Sequence, residues 1–275
     1  MLMTMENPRV RAEAPPAAVT LDAVTCAFGN YVAVADATLT IGEGEFVSVV
    51  GPTGCGKSTI LNLVAGLLEP TAGTVGVGGA PLRGLNGQAG YMFQSDALMP
   101  WRTALDNVAI GLEYRGMPQD ERRRQARLWL RRVGLEGHEE KYPHQMSGGM
   151  RKRTALAQML ILDPRILLMD EPFSALDIQT RHLMENELLE LWSADRKSVI
   201  FITHDLEEAI SLSDRVIVLS AGPGTRPIGE FHIDLPRPRD VAEIRLTGRF
   251  LELHTEIWNT MRDEVMKAHG KGPRQ

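Results

Sequence analysis

A short β-branched run over residues 45–50 leads directly into Gly51-Pro52-Thr53-Gly54-Cys55-Gly56-Lys57-Ser58, and a helical pattern over 59–68 follows. These eight residues match G-x-x-x-x-G-K-[ST] in full, in the strand-to-helix context that the pattern needs. Glycines let the backbone turn so that successive N–H groups point inward as an anion nest. The helix that takes over at Thr59 adds its free N–H groups and the positive end of its dipole. Lys57 supplies a mobile cation for terminal phosphates, and Ser58 can place its hydroxyl on Mg²⁺. The pattern predicts a nucleotide phosphate site. By itself it fits kinases, GTPases and ATPases equally.

The remaining apolar runs alternate with helical patterns, which predicts an α/β fold with a mainly parallel sheet. Strands are expected over 19–26, 37–41, 73–79, 89–93, 166–169, 198–203 and 215–220, with an edge strand over 227–233. Helical spacing covers Ala104–Tyr114, 119–133, 149–162, 179–193 and Leu206–Leu212. A last amphipathic helix is expected over 242–267, with Phe250, His254, Ile257, Met261 and Val265 on one stripe. Residues 1–18 read as a loose tail. The arginines of 119–133 read as a solvated face.

Two more strand ends carry chemistry. The run Ile166-Leu167-Leu168-Met169 ends in Asp170-Glu171. A carboxylate there, across from the phosphate loop, is where Mg²⁺ needs a partner, and Asp170 is the candidate. Glu171 points to the other side of the chain and is placed to polarise an attacking water. His204 ends the strand over 198–203, on what should be the same sheet edge. Ligands of open α/β sheets gather at the carboxyl ends of strands, so His204 is expected to contact phosphate.

Composition narrows the setting. The 275 residues carry 30 Lys+Arg against 35 Asp+Glu, a net charge of -5, which gives no support to a whole-surface nucleic-acid binder. The 2 cysteines cannot build a disulfide framework and fit a reducing compartment. Each apolar run falls far short of the ~18 residues of a spanning helix, so the chain is not expected to cross a membrane itself.

Ser147-Gly148-Gly149 opens a helix, and with Gln94, Ser174-Ala175-Leu176-Asp177 and His204 it completes a specific set in a specific order. The sequence resembles the ATPase subunit of ABC transporters over roughly 19–235. The resemblance implies a RecA-like parallel core sheet, an antiparallel β-subdomain and a helical insert near 95–163, with 236–275 as a C-terminal helix and tail. It implies two copies facing head to tail, each ATP held between one copy's phosphate loop and the other's Ser147-Gly148-Gly149. Glu171 would activate water and His204 hold the γ-phosphate. Asp177 would communicate across the dimer, and Gln94 would link Mg²⁺ and water to the transporter contact. Phe28 stands where the family stacks an aromatic on adenine. Its residue reading alone also allows an ordinary strand core position.

The usual Leu-Ser-Gly-Gly-Gln is here Met146-Ser147-Gly148-Gly149-Met150. That last Met, with Met99-Pro100-Trp101-Arg102-Thr103, resembles the importers of nitrate, sulfonates and taurine. The resemblance implies an integral membrane permease, an extracytoplasmic substrate-binding protein and a peripheral position on the cytoplasmic face of the inner membrane, with no nucleic acid. Residues 95–107 would receive the permease, with Leu98, Met99 and Trp101 making a hollow. Trp101 could instead sit in the core of the helical insert. The rival reading is a soluble ABC ATPase acting on nucleic acid or ribosomes. Cys55, close to a helix N-terminus, is expected to be a reactive thiol that ATP shields.

Overall fold

The structure, a computed structural model, describes residues 16–174 and 176–268. Two sheets organise it. Strands β1 (Ala17–Phe28), β2 (Tyr31–Gly42), β4 (Ala72–Val77) and β5 (Ala80–Pro81) form an antiparallel sheet of order β2-β1-β4-β5. The second sheet has the order β10-β9-β3-β8-β7-β6, from β3 (Phe46–Val50), β6 (Ala89–Met92), β7 (Ile166–Asp170), β8 (Ser198–Ile202), β9 (Arg215–Leu219) and β10 (Pro227–His232). Its pairs are parallel except β10 against β9, at the edge where 227–233 was expected.

The continuous apolar runs of this sheet follow from burial on both faces. Successive side chains alternate sides. Val47, Val49, Leu168, Ile200 and Ile202 join the core shared with helix α1 (Lys57–Ala65) and the antiparallel sheet. Phe46, Leu167, Met169, Val199 and Phe201 face the opposite core, with helices α4 (Gly148–Leu160) and α5 (Ile178–Ala194). Helices α2 (Ala104–Tyr114) and α3 (Gln119–Arg132) pack with α4 on a separate cluster that includes Leu105, Val108, Leu130 and Met146. The arginines of α3 meet acids at its surface: Arg124 with Glu121, Arg131 with Glu136, and Arg123 with Asp106 and Glu140.

Three expectations need correction. Helix α1 stops at Ala65 rather than near Leu68, because Gly66 takes φ 70° and closes the helix, with Leu67 N donating to Asn62 O at 2.9 Å. A Cβ on Gly66 would stand 1.9 Å from Gly84 O, so the crossing itself demands glycine. At the N-terminus, β1 begins at Ala17 and buries Ala18, so the last residues of the expected tail are strand; residues 1–15 lie outside the described residues.

The third concerns the final helix, which is broken into α7 (Val241–Ile244) and α8 (Gly248–Ala268). Thr247 makes the break: its hydroxyl donates to Ile244 O at 2.7 Å and accepts from Phe250 N at 3.4 Å, acting as a cap. The buried stripe of α8 is Phe250, Leu253, Ile257 and Met261, with Val265 packed beside it, while His254 lies at its margin. That stripe covers α6 (Leu206–Leu212) and strands β9 and β10 of its own chain.

Candidate functional site

The carboxyl ends of β3, β7 and β8 and the segment after β6 converge on a cleft of 420 Å³. It is lined by Thr53, Gly54, Gly56, Lys57, Ser58, Thr59, Gln94, Glu171 and His204. Gly54 (φ 75°) and Gly56 (φ 114°) turn the loop into α1. Lys57 is 6% exposed, and its ammonium donates to Gly51 O at 2.9 Å and Pro52 O at 3.0 Å. Two of its three donors are thus spent on the loop, which leaves one for an incoming anion. Gly51, Pro52 and Cys55 are buried behind the loop and do not line the cleft.

Asp170 ends β7 beside the start of α1, near the Ser58 hydroxyl and the Lys57 ammonium. Burial pushes the Asp170 carboxyl up from its ordinary value; Ser58 and Lys57 oppose this, and the neighbouring charge of Glu171 adds to it. A hydroxyl and a carboxylate are hard oxygen donors of the kind Mg²⁺ takes together with substrate phosphates. Among the described residues, no group of three or more His, Cys, Asp or Glu could hold a metal unaided, so a cation here would rely on such phosphates.

Glu171 takes φ 45°, in the left-handed region, with its N–H donating to Ile202 O at 2.9 Å. The backbone turns after Asp170, and the two adjacent acids separate. Glu171 Oε2 then accepts from Gln94 Nε2 at 3.2 Å and lies 3.2 Å from His204 Nδ1. His204 stands 57% exposed between two anchored neighbours. Buried Thr203 donates to Glu208 Oε2 at 2.6 Å, and Asp205 caps α6 and accepts from Arg181 at 3.1 Å.

The expected residues fall into two groups. The loop, Asp170, Glu171, His204 and Gln94 come together. Ser147, Gly148, Gly149, Asp177 and Phe28 do not line the cleft of their own chain. Ser147 caps α4, accepting from Met150 N at 3.3 Å, and its own surface is exposed. Met150 packs against the cluster of the helical insert, so the departure from glutamine puts an apolar side chain to structural use. Asp177 caps α5; the amide and hydroxyl of Thr180 hold its carboxyl below the usual range. Phe28 is 50% exposed at the β1–β2 hairpin, which is not a core position. Trp101, 72% exposed, is likewise not in the core of the insert.

Cys55 departs from expectation. It is 2% exposed, and burial pushes its thiol up despite the opposing influence of Lys57 and of the Thr225 side chain. Nearness to a helix N-terminus was outweighed by loss of solvent.

Sequence reasoning missed Lys152 and Asp96. Buried Lys152 donates to Gln94 O at 2.6 Å and pairs with Asp96 at 3.2 Å, and Arg151 reaches the same carboxylate at 2.8 Å. These contacts tie the helix that Ser147 caps to the segment that carries Gln94. A lysine five residues after Ser147 gives no sign in one dimension that it is buried.

Residues 34–174 match the ABC transporter family. An uncharacterized ABC transporter ATP-binding protein of Methanocaldococcus jannaschii is 49% identical over 87% of this chain and 88% of its own length. The taurine import ATP-binding protein TauB of Yersinia pestis is 46% identical over 70% of this chain and 75% of the relative, and that of Burkholderia pseudomallei 43% identical over 83% and 89%. Among solved structures, a dimeric ATP-binding cassette in a post-hydrolysis state with ADP and Pi superposes with a TM-score of 0.70. It is 34% identical over 79% of this chain and 100% of that one.

Proposed function

The chain belongs to the ABC transporter family and is a nucleotide-binding ATPase, and from that premise we propose that it drives uptake of a small nutrient of the nitrate, sulfonate or taurine kind through a separate membrane permease. Two copies work as a pair on the cytoplasmic face of the membrane, and an extracytoplasmic binding protein presents the nutrient to the permease. The names of the taurine import relatives support the importer class. The dimeric cassette that superposes on this chain supports the pairing.

The observation that carries this reading is the segment that opens at Gln94. One end of it touches Glu171 Oε2, and seven residues further on Trp101 stands 72% exposed. A partner seated on Trp101 would therefore act on the group nearest the reacting water. In this reading Glu171 accepts the water's proton, and Gln94 and His204 orient water and γ-phosphate around it. Lys57 and the loop amides hold the β- and γ-phosphates. Ser58, Asp170 and Gln94 would hold Mg²⁺, which neutralises phosphate charge when bound. Ser147, Gly148 and Gly149 of one copy close over the ATP of the other, and Asp177 lies at the contact between copies. The half-exposed ring of Phe28 is free to stack on adenine.

The test is co-isolation from membranes of the source cell. The chain should come down with an integral permease, and Trp101→Glu should lose that association. Recovery with ribosomes or RNA and no permease, or undiminished association of the Trp101→Glu variant, would overturn the reading.

A further inference from the structure

His204 is 57% exposed, so packing does little to fix its ring, and its direction is set by the chain on either side. That chain is held by a network of polar groups. The hydroxyl of buried Thr203 donates to Glu208 Oε2 at 2.6 Å and accepts from Asp205 N at 3.0 Å. Asp205 Oδ1 accepts from Glu207 N at 2.8 Å and so caps α6. The far end of α6 is tied down separately by buried Arg239, which donates to Ser211 O at 3.1 Å and Ser213 O at 2.7 Å. The end of α6 next to His204 therefore depends on what holds Asp205 and Glu208.

Those two acids act against each other. Burial pushes the Glu208 carboxyl up, and Asp205 adds to this, while Thr203, Arg181 and His204 oppose it. Arg181, on α5, is the cation that joins both acids. Its Nη1 donates to Asp205 Oδ2 at 3.1 Å, and its Nε lies 3.5 Å from Glu208 Oε1. Its Nη2 donates to Leu176 O at 3.3 Å, and its backbone N–H donates to Asp177 O at 2.9 Å. One guanidinium thus bonds the turn that carries His204 to the segment that leads into α5. The rigid fork of an arginine can reach these acceptors together, which a single ammonium does poorly. The position is otherwise unfavourable: Arg181 lies one turn into α5, toward the positive end of the helix dipole, where a cation is disfavoured.

We propose that Arg181 is a positioning residue for ATP hydrolysis: it holds the turn that aims His204 into the cleft, with the Leu176–Asp177 segment as its anchor. Arg181 does not line the cleft, so it acts through His204 and not on the nucleotide. The inference rests on the reading above, in which His204 orients the γ-phosphate.

ATP turnover and ATP affinity of the full chain are measured for Arg181→Met, His204→Ala and the double variant. Arg181→Met should lower kcat at least about tenfold, through a displaced His204, while ATP affinity holds. In the His204→Ala background the same change should cost nothing more, because the group it positions is gone. A merely structural loss would lower both backgrounds by the same factor. Equal losses in the two backgrounds, or an unchanged kcat in Arg181→Met, would overturn the inference and leave the role of His204 standing. Undiminished turnover in His204→Ala would instead overturn the reading of the site, and this inference with it. Should Arg181→Met not fold, Arg181→Lys takes its place, since it keeps a cation beside Glu208 but lacks the fork. Its loss should be smaller and should again vanish in the His204→Ala background.

Discussion

Gln94 Nε2 donates to Glu171 Oε2 at 3.2 Å, across 77 residues of sequence. The same oxygen lies 3.2 Å from His204 Nδ1, so three strand ends deliver their polar groups to a single atom. If that oxygen takes the proton of the attacking water, Glu171→Gln should still bind ATP but hydrolyse it about 10²–10⁴-fold more slowly. Nucleotide binding and phosphate release, measured side by side, check this. Normal turnover would place water activation elsewhere.

Lys152 holds Gln94 from behind. Lys152→Met keeps an unbranched chain but removes the donor to Gln94 O and one partner of Asp96. The expected result is a fall in kcat of up to about 100-fold from misplacement of Gln94. ATP affinity should hold, because Lys152 does not line the cleft. A lost affinity with unchanged kcat would contradict a positioning role.

The two thiols should be quiet. Cys26 and Cys55 are each 2% exposed, and burial raises both thiols, so little thiolate is available. Iodoacetamide at neutral pH should leave both unmodified in the folded chain, with or without ATP, as read by intact mass. Rapid labelling of Cys55 that ATP prevents would restore the opposite view, to which its place in the loop pointed.

A pH dependence follows from Glu185. It is fully buried against Arg245, 3.1 Å away, and burial pushes its carboxyl up to about 8, with Arg245 opposing and the charges of Glu208 and Asp205 adding. The folded state then holds a proton that the unfolded state has released, from the ordinary value of 4.5 to about 8. Stability from this group is complete below that window and is lost as pH rises through it. Glu185→Gln should flatten the fall in stability across the window, measured by denaturant unfolding at several pH values. Parallel curves for the two proteins would refute this.

Local patterns made much of the site readable. The phosphate loop needs only glycine freedom, one lysine and a following helix, all contiguous, and the structure builds it where the pattern stands. Asp170, Glu171 and His204 were legible because each ends an apolar run, and strands of one parallel sheet end on one edge. Helix boundaries were less so. The stop at Gly66 depends on a crossing with Gly84, and the break before α8 on how Thr247 caps a new helix.

The sequence by itself determined the loop, the acidic strand end, the order of the elements and the family resemblance, because contiguous residues and regular periods encode them. Only the tertiary structure decided that Cys55 is buried rather than reactive, that Lys152 supports Gln94, and that Glu187 gives one carboxylate oxygen to Arg153 while the other is buried. Burial and pairing depend on residues tens of positions apart, such as Lys152 with Gln94 and Glu187 with Arg153. The free energy of a charge depends on its neighbours in space, and a linear pattern does not carry them.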